Sequence, residues 1–254
     1  MAIFTCLLFW GAPHDKIGVQ NIQGCLFFIT MNTLMNGIQN VILIFPEERP
    51  CFLREVQNSM YGGSPYFWAK IMSEMPFSLG IPTLFASIVY YVVGLNDINA
   101  GYFFMFVLIN ILVYNASQGY ALIISAAFAD KQLAVTLTPA VIIPFMLFAG
   151  FFVASDNIPS FLLPFAWLSI FKWGYNAFLI NQFLPYYEHK GDPDVKDPFN
   201  CMWDEPLCVP LSQITNKDGD IIPLWGNIGC LFAIYIMCYA TSWIILVCLS
   251  RKAE

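Results

Sequence analysis

The chain has 254 residues, 58% of them hydrophobic, 17% aromatic and 11% charged. A water-soluble domain carries roughly a quarter charged residues, so this composition excludes one. The formal net charge of -6 also excludes the basic footprint that nucleic acid requires.

In chain order, the apolar runs predict an all-α polytopic membrane protein. A spanning helix needs about 20 apolar residues, because the backbone must satisfy its own polar groups in lipid. Residues 2–10 supply only half a span. They read as a signal peptide lacking its basic n-region, or, preferred here, as the last half of a first membrane helix (residues 1–12). Residues 22–45 form the next span, which carries Asn32, Asn36, Gln39 and Asn40 without a charge. Positions 32, 36 and 40 stack on one helical face. Such amides glue helices at about 0.6–2 kcal/mol each, or line a polar cavity.

A short amphipathic helix is predicted over 50–60. Pro50 suits a first helical turn, and Phe52, Val56 and Met60 recur on one face. Arg54, Glu55, Gln57 and Asn58 fill the other face, and Gly62-Gly63 ends the run. It is either a helix lying on the headgroups or a docking element for another protein.

Further spans are predicted over 71–95, 102–128, 133–154 and 224–249. Glu74 favours the positive N-terminus of the 71–95 helix and has Arg54 or Lys70 as possible partners. Pro76 and Pro82 in that helix, and Pro139 and Pro144 in 133–154, free carbonyls that neighbouring helices must cover. Residues 156–223 form a long loop. Its apolar part, 158–184, is broken by Pro159, Pro164, Lys172 and Gly174, and reads as a re-entrant or interfacial segment. The sequon at Asn115 falls inside a span, out of reach of glycosylation.

Arg49, Arg54, Lys70, Lys131, Arg251 and Lys252 all fall on one side of this arrangement, which the positive-inside rule makes cytoplasmic together with the C-terminus. The long loop is then external. Cys201 and Cys208 lie there, where a disulfide is permitted, within the chain or to a second chain. No metal-ligand spacing and no catalytic constellation occurs, so no metal site and no enzymatic activity is expected of this chain.

Several stretches resemble the membrane half (ABC-2 type transmembrane domain) of the G (White) subfamily of ATP-binding-cassette transporters. They are Gly24-Cys25-Leu26-Phe27-Phe28, Phe52-Leu53-Arg54-Glu55, Gly62-Gly63, Tyr66-Phe67-Trp68-Ala69-Lys70, Glu74-Met75-Pro76 and Val89-Tyr90-Tyr91-Val92-Val93-Gly94-Leu95. Phe148-Ala149-Gly150-Phe151-Phe152 and Trp173-Gly174-Tyr175-Asn176-Ala177-Phe178 follow in the family's order.

The resemblance implies a homodimer or heterodimer of half-transporters, each with an ATPase domain followed by six helices. It implies a coupling helix at 50–60 that carries motion from that ATPase through Phe52, Arg54, Glu55, Val56 and Glu74. A central cavity would be lined by Phe28, Met31, Asn32, Met35, Ile143 and Met146, with Phe151 and Phe152 as a gate. The implied substrates are lipids or lipophilic molecules, in the plasma membrane or an intracellular membrane of the secretory system. No G-x-x-x-x-G-K-[ST] occurs. ATP and Mg are therefore expected on a separate ATPase domain, and the chain reads as a fragment with five complete spans. The alternative is a non-transporting regulatory subunit that dimerises with a full-length transporter.

Overall fold

The computed structural model describes residues 2–9, 16–95, 99–127, 131–147, 162–188 and 223–253. Their regular secondary structure is helical throughout: α1 (Ala2–Leu8), α2 (Lys16–Gln57), α3 (Gly63–Val93), α4 (Ala100–Ala127), α5 (Lys131–Leu147), α6 (Leu163–Leu168), α7 (Ile170–Glu188) and α8 (Leu224–Ala253). Among the described residues, α2, α3, α4 and α8 are long and apolar enough to cross a bilayer. The described part of the expected 133–154 span ends at Leu147, and its remainder lies outside the described residues.

The largest departure from expectation is α2. Separate helices were expected over 22–45 and 50–60, yet one helix of 42 residues runs through both, with Pro46 and Pro50 inside it. Proline's φ is helical, so its cost is a missing N–H and a crowded carbonyl one turn earlier. Pro50's missing donor falls on the carbonyl of Pro46, so both defects share one short stretch. Phe45 and Phe52, buried on either side, hold the helix across it.

At the other end of α3, Gly94 takes φ +71° and returns its N–H to the Tyr90 carbonyl, a left-handed stop. Pro82 within α3 deprives the Ser78 carbonyl of its helical donor, and Asn115 Nδ2 of α4 approaches that oxygen at 3.4 Å. Asn110 Nδ2 donates to the Pro82 carbonyl at 2.9 Å, while its Oδ1 accepts from Thr33 Oγ1 of α2 at 2.7 Å. One buried amide thus ties three helices, and the proline's freed carbonyl is covered by a neighbour.

Helix α4 sits at the centre, in contact with α2, α3, α5, α7 and α8. Small residues let it do so. A Cβ on Gly37 of α2 would overlap Ser117 Oγ and stand 2.8 Å from the Tyr114 carbonyl. One on Gly119 of α4 would stand 2.8 Å from Cys238 Cβ of α8. In lipid, where tails are as apolar as side chains, such close backbone approach is what drives helices together.

The apolar segment expected to dip into the bilayer forms α6 and α7, broken at Ser169. Three contacts set the register of α7 on α4, and a fourth fixes the end of α6. Asn181 Nδ2 donates to the Tyr102 carbonyl at 3.1 Å, Phe178 meets Phe106 at 4.8 Å, Gly174 faces Val113, and Tyr120 Oη donates to the Leu168 carbonyl at 2.6 Å. The two helices are antiparallel, and the α6–α7 break lies about 27 Å along α4 from Tyr102. From Ile170 to Phe183 every residue of α7 is buried. Protein therefore surrounds this stretch.

Candidate functional site

Two regions concern function: the open face of α2 and α5, and the end of α2 beyond Phe45. On α2, Phe28, Met31 and Met35 are half-buried on one face and Asn32 is buried beside them. Asn36 Nδ2 donates to Asn32 Oδ1 at 2.9 Å, which leaves Asn32 Nδ2 buried without a partner. Asn40 turns the other way, donating to Tyr114 Oη at 2.6 Å. The amide ladder therefore divides its work. Asn40 joins helices, Asn32 is buried between them and the open face, and Asn36 and the exposed Gln39 put polarity on that face.

On α5, Ile143 is 49% exposed and Met146 is half-buried against the core. The closed contact between α2 and α5 uses other residues. Leu34, Ile38, Val141, Ile142 and Phe145 surround an apolar gap of only about 20 Å³. Phe28 stands against Phe4 of α1, ring centroids 6.3 Å apart. Phe151, Phe152, Cys201 and Cys208 lie outside the described residues.

The second region corrects the expected amphipathic face. Phe52 and Val56 are 2% and 1% exposed, whereas Met60 is 70% exposed. The helix ends at Gln57, and Ser59 takes φ +56°, so the third position of the expected stripe falls beyond the last turn. The buried pair faces its own chain, with the Phe52 ring 4.3 Å from Tyr66, which in turn stacks on Tyr61 at 6.1 Å. What remains outward on this tail is Glu47, Pro50, Cys51, Arg54 and Gln57.

Charged groups lock the same corner. Lys70 Nζ of α3 meets Glu48 Oε2 at 2.5 Å and Glu74 Oε1 at 2.9 Å, and stands 5.8 Å from the Phe45 ring. Of the two partners expected for Glu74, the structure selects Lys70, while Arg54 is exposed. Tyr61 donates to Glu55, and that hydrogen bond, aided by burial and the carboxylate charge, pushes the phenol up to about 12. These groups border an open groove of about 660 Å³ between the tail of α2 and the start of α3.

Sequence reasoning brought Phe52, Glu55, Val56 and Glu74 to this corner, but missed Glu48, Tyr61 and Tyr66. The available signal was Pro50 itself. A helix that survives its prolines carries Glu48 on the same rod as Phe52, one turn apart.

The comparisons with known proteins accord with this arrangement. The family described as ABC-2 type transporter matches residues 1–183. Protein white of Drosophila melanogaster is 35% identical over 184 residues, covering 72% of this chain and 26% of that protein. The ABC transporter ATP-binding protein/permease wht-1 of Caenorhabditis elegans is 34% identical over 187 residues, 71% of this chain and 27% of that protein. The broad substrate specificity ATP-binding cassette transporter ABCG2 of Bos taurus is 28% identical over 235 residues, 90% of this chain and 35% of that protein. The chain therefore matches between a quarter and about a third of these relatives' lengths.

Proposed function

Because the chain belongs to the ABC-2 type transporter family, we propose that it is the permease part of an ATP-driven half-transporter that exports lipids or lipophilic molecules. Integral membrane placement follows from its long apolar helices and its family. Under this reading the basic side, with the tail of α2 and the end of α8, is cytoplasmic. ATP and Mg act on an ATPase domain of the relatives' kind, and a second half-transporter completes the assembly.

The observation that carries the proposal is the open face of α2. It presents Asn36 and Gln39 among Phe28, Met31 and Met35 inside a stretch fit to cross the bilayer. Asn36 Nδ2 donates within its own helix to the Asn32 carbonyl and Oδ1, but the exposed Gln39 amide would lack partners in hydrocarbon, so this face needs protein or a wet cavity opposite it. The exposed face of α3, with Phe77, Ile81, Leu84 and Ile88, needs only lipid. Methionines beside amides give an adaptable, partly polar lining suited to varied lipophilic molecules.

The test is export from vesicles bearing the complete gene product, with ATPase activity measured across a panel of sterols, phospholipids and lipophilic dyes. Stimulation by at least one class is expected, together with its export. Met35→Trp should lower apparent affinity for that class by about tenfold through overfilling the face, with basal ATPase retained. ATPase indifferent to every lipophile, with no movement of any, would leave the regulatory-subunit reading in its place.

A further inference from the structure

The groove between the tail of α2 and the start of α3 has no part in the permease reading. Residues 58–62 alone join the two helices, which therefore run antiparallel with facing rows in register. Along α2 the groove is lined by Ile44, Glu48, Cys51 and Glu55, a length of about 16 Å at the helical rise. Against them α3 sets Phe77, Glu74, Lys70 and Tyr66 in the same order. One end is thus apolar, with Ile44 and Phe77 exposed at 49% and 68%. Ile44 belongs to the uncharged run of α2, so this end opens toward hydrocarbon. The other end is polar and leads away from the bilayer.

The groove also has a definite charge. Three carboxylates, Glu48, Glu55 and Glu74, line it with one ammonium, Lys70. The ammonium lies underneath: the Lys70 side chain is 10% exposed, against 42% for Glu48 and 32% for Glu74. Lys70 meets Glu48 Oε2 and Glu74 Oε1, and Tyr66 Oη donates to the same Glu48 oxygen at 3.3 Å. Glu48 Oε1 and Glu74 Oε2 accept no hydrogen bond among the described residues. Arg54 points outward and is not in the lining. Surplus negative charge beside a low-dielectric slab is costly until a cation meets it. That cation is not a metal ion, because among the described residues no three His, Cys, Asp or Glu side chains converge to hold one.

We propose that this groove binds a cationic amphiphile, an ammonium head on a hydrocarbon chain. The head lies among Glu48, Glu55 and Glu74, and the chain follows Ile44 and Phe77 into the bilayer. A volume of about 660 Å³ suits one such molecule. A basic protein segment would answer the carboxylates but leave the apolar end empty. The site needs membrane placement only, and stands whether or not the chain is an exporter.

Cys51 supplies the readout. It is an exposed free thiol in the groove wall, with Sγ 3.6 Å from Glu55 Oε1. Cys248 of α8 is exposed too but does not line the groove, and serves as internal reference. The complete gene product in phosphatidylcholine nanodiscs is treated with uncharged N-ethylmaleimide, and adducts at each cysteine are followed by mass spectrometry. Dodecylamine, protonated at neutral pH, should slow modification of Cys51 about fivefold or more without slowing Cys248. Dodecanol, the same chain without the charge, should need about ten times the mole fraction. Glu55→Gln should raise the half-protecting fraction of the amine about threefold, and Glu55→Gln with Glu74→Gln about tenfold. Lys70→Gln withdraws the competing ammonium and should lower that fraction. Opposite signs distinguish charge from loosened packing, and the comparison of amine with alcohol requires no variant to fold. Equal protection by amine and alcohol, or protection by neither, overturns the site. A Cys51 that stays unmodified before any amine is added assigns the groove to a protein segment of the complete assembly and overturns it as well.

Discussion

At the scale of single residues, the most constrained positions are those where a side chain of any size has no room. Gly37 faces the backbone carbonyl of Tyr114 as well as a movable hydroxyl, Ser117 Oγ. Relief at Ser117 alone cannot make space, because the carbonyl belongs to the α4 backbone. Gly37→Val should destabilise the bundle by about 1–3 kcal/mol through overpacking, seen as a lowered midpoint of thermal unfolding in detergent. Adding Ser117→Ala should recover only part of the loss. Gly80→Val on α3 is the control: a Cβ there meets nothing within 4 Å, and the midpoint should hold. A Gly37→Val protein as stable as its parent would mean that α2 and α4 do not approach as described. None of this was legible in the sequence, where Gly37 is one glycine among 16. Which glycine is crowded depends on which helices pair. The amides were legible as a stripe, but the split between Asn40 as a tie and Asn36 on the open face appears only once Tyr114 is in place.

At the scale of elements, hydropathy identified α3, α4 and α8, since long apolar runs admit one structure in lipid. It failed at one place and was incomplete at another. In α2, two prolines and a charged run read as a break, yet buried aromatics on both sides carry the helix through. In α7, Lys172 and Gly174 read as breaks in an apolar run, yet both lie in a buried stretch of helix. The sequence supported a dip into the bilayer but could not show that protein surrounds it. The continuity of α2 makes its tail a stiff extension of the helix that carries Met31 and Met35. Movement applied at Arg54 then reaches the open face along one rod. What fastens the tail is Phe52 against Tyr66, not Arg54. Phe52→Ala should therefore remove about 3 kcal/mol of local packing. Amides of residues 47–57 should exchange roughly a hundredfold faster, with the rest of the bundle unchanged. Arg54→Ala should leave exchange as it was and, in the full transporter, lower substrate-stimulated ATPase. If both variants exchange alike, the tail is held by something other than the aromatic cluster.

At the scale of the whole molecule, the proposed function raises the question of which face would meet a second half-transporter. Exposed apolar area cannot decide it, because lipid covers such area as well as protein does. Polarity can. The face of α2 bearing Gln39 and Asn36 is poorly matched to hydrocarbon, while α3 around Leu84, 67% exposed, is well matched. A photo-crosslinking amino acid at Met35 should therefore trap a species of twice the subunit mass in native membranes. The same group at Leu84 should label lipid and trap no such dimer. Substrate should compete with the Met35 crosslink, since a molecule lodged between two α2 faces separates them. A dimer trapped from Leu84 and not from Met35 would move the interface to α3. It would then leave Phe28, Met31, Asn32 and Met35 facing lipid and remove the cavity to which the amides have been assigned.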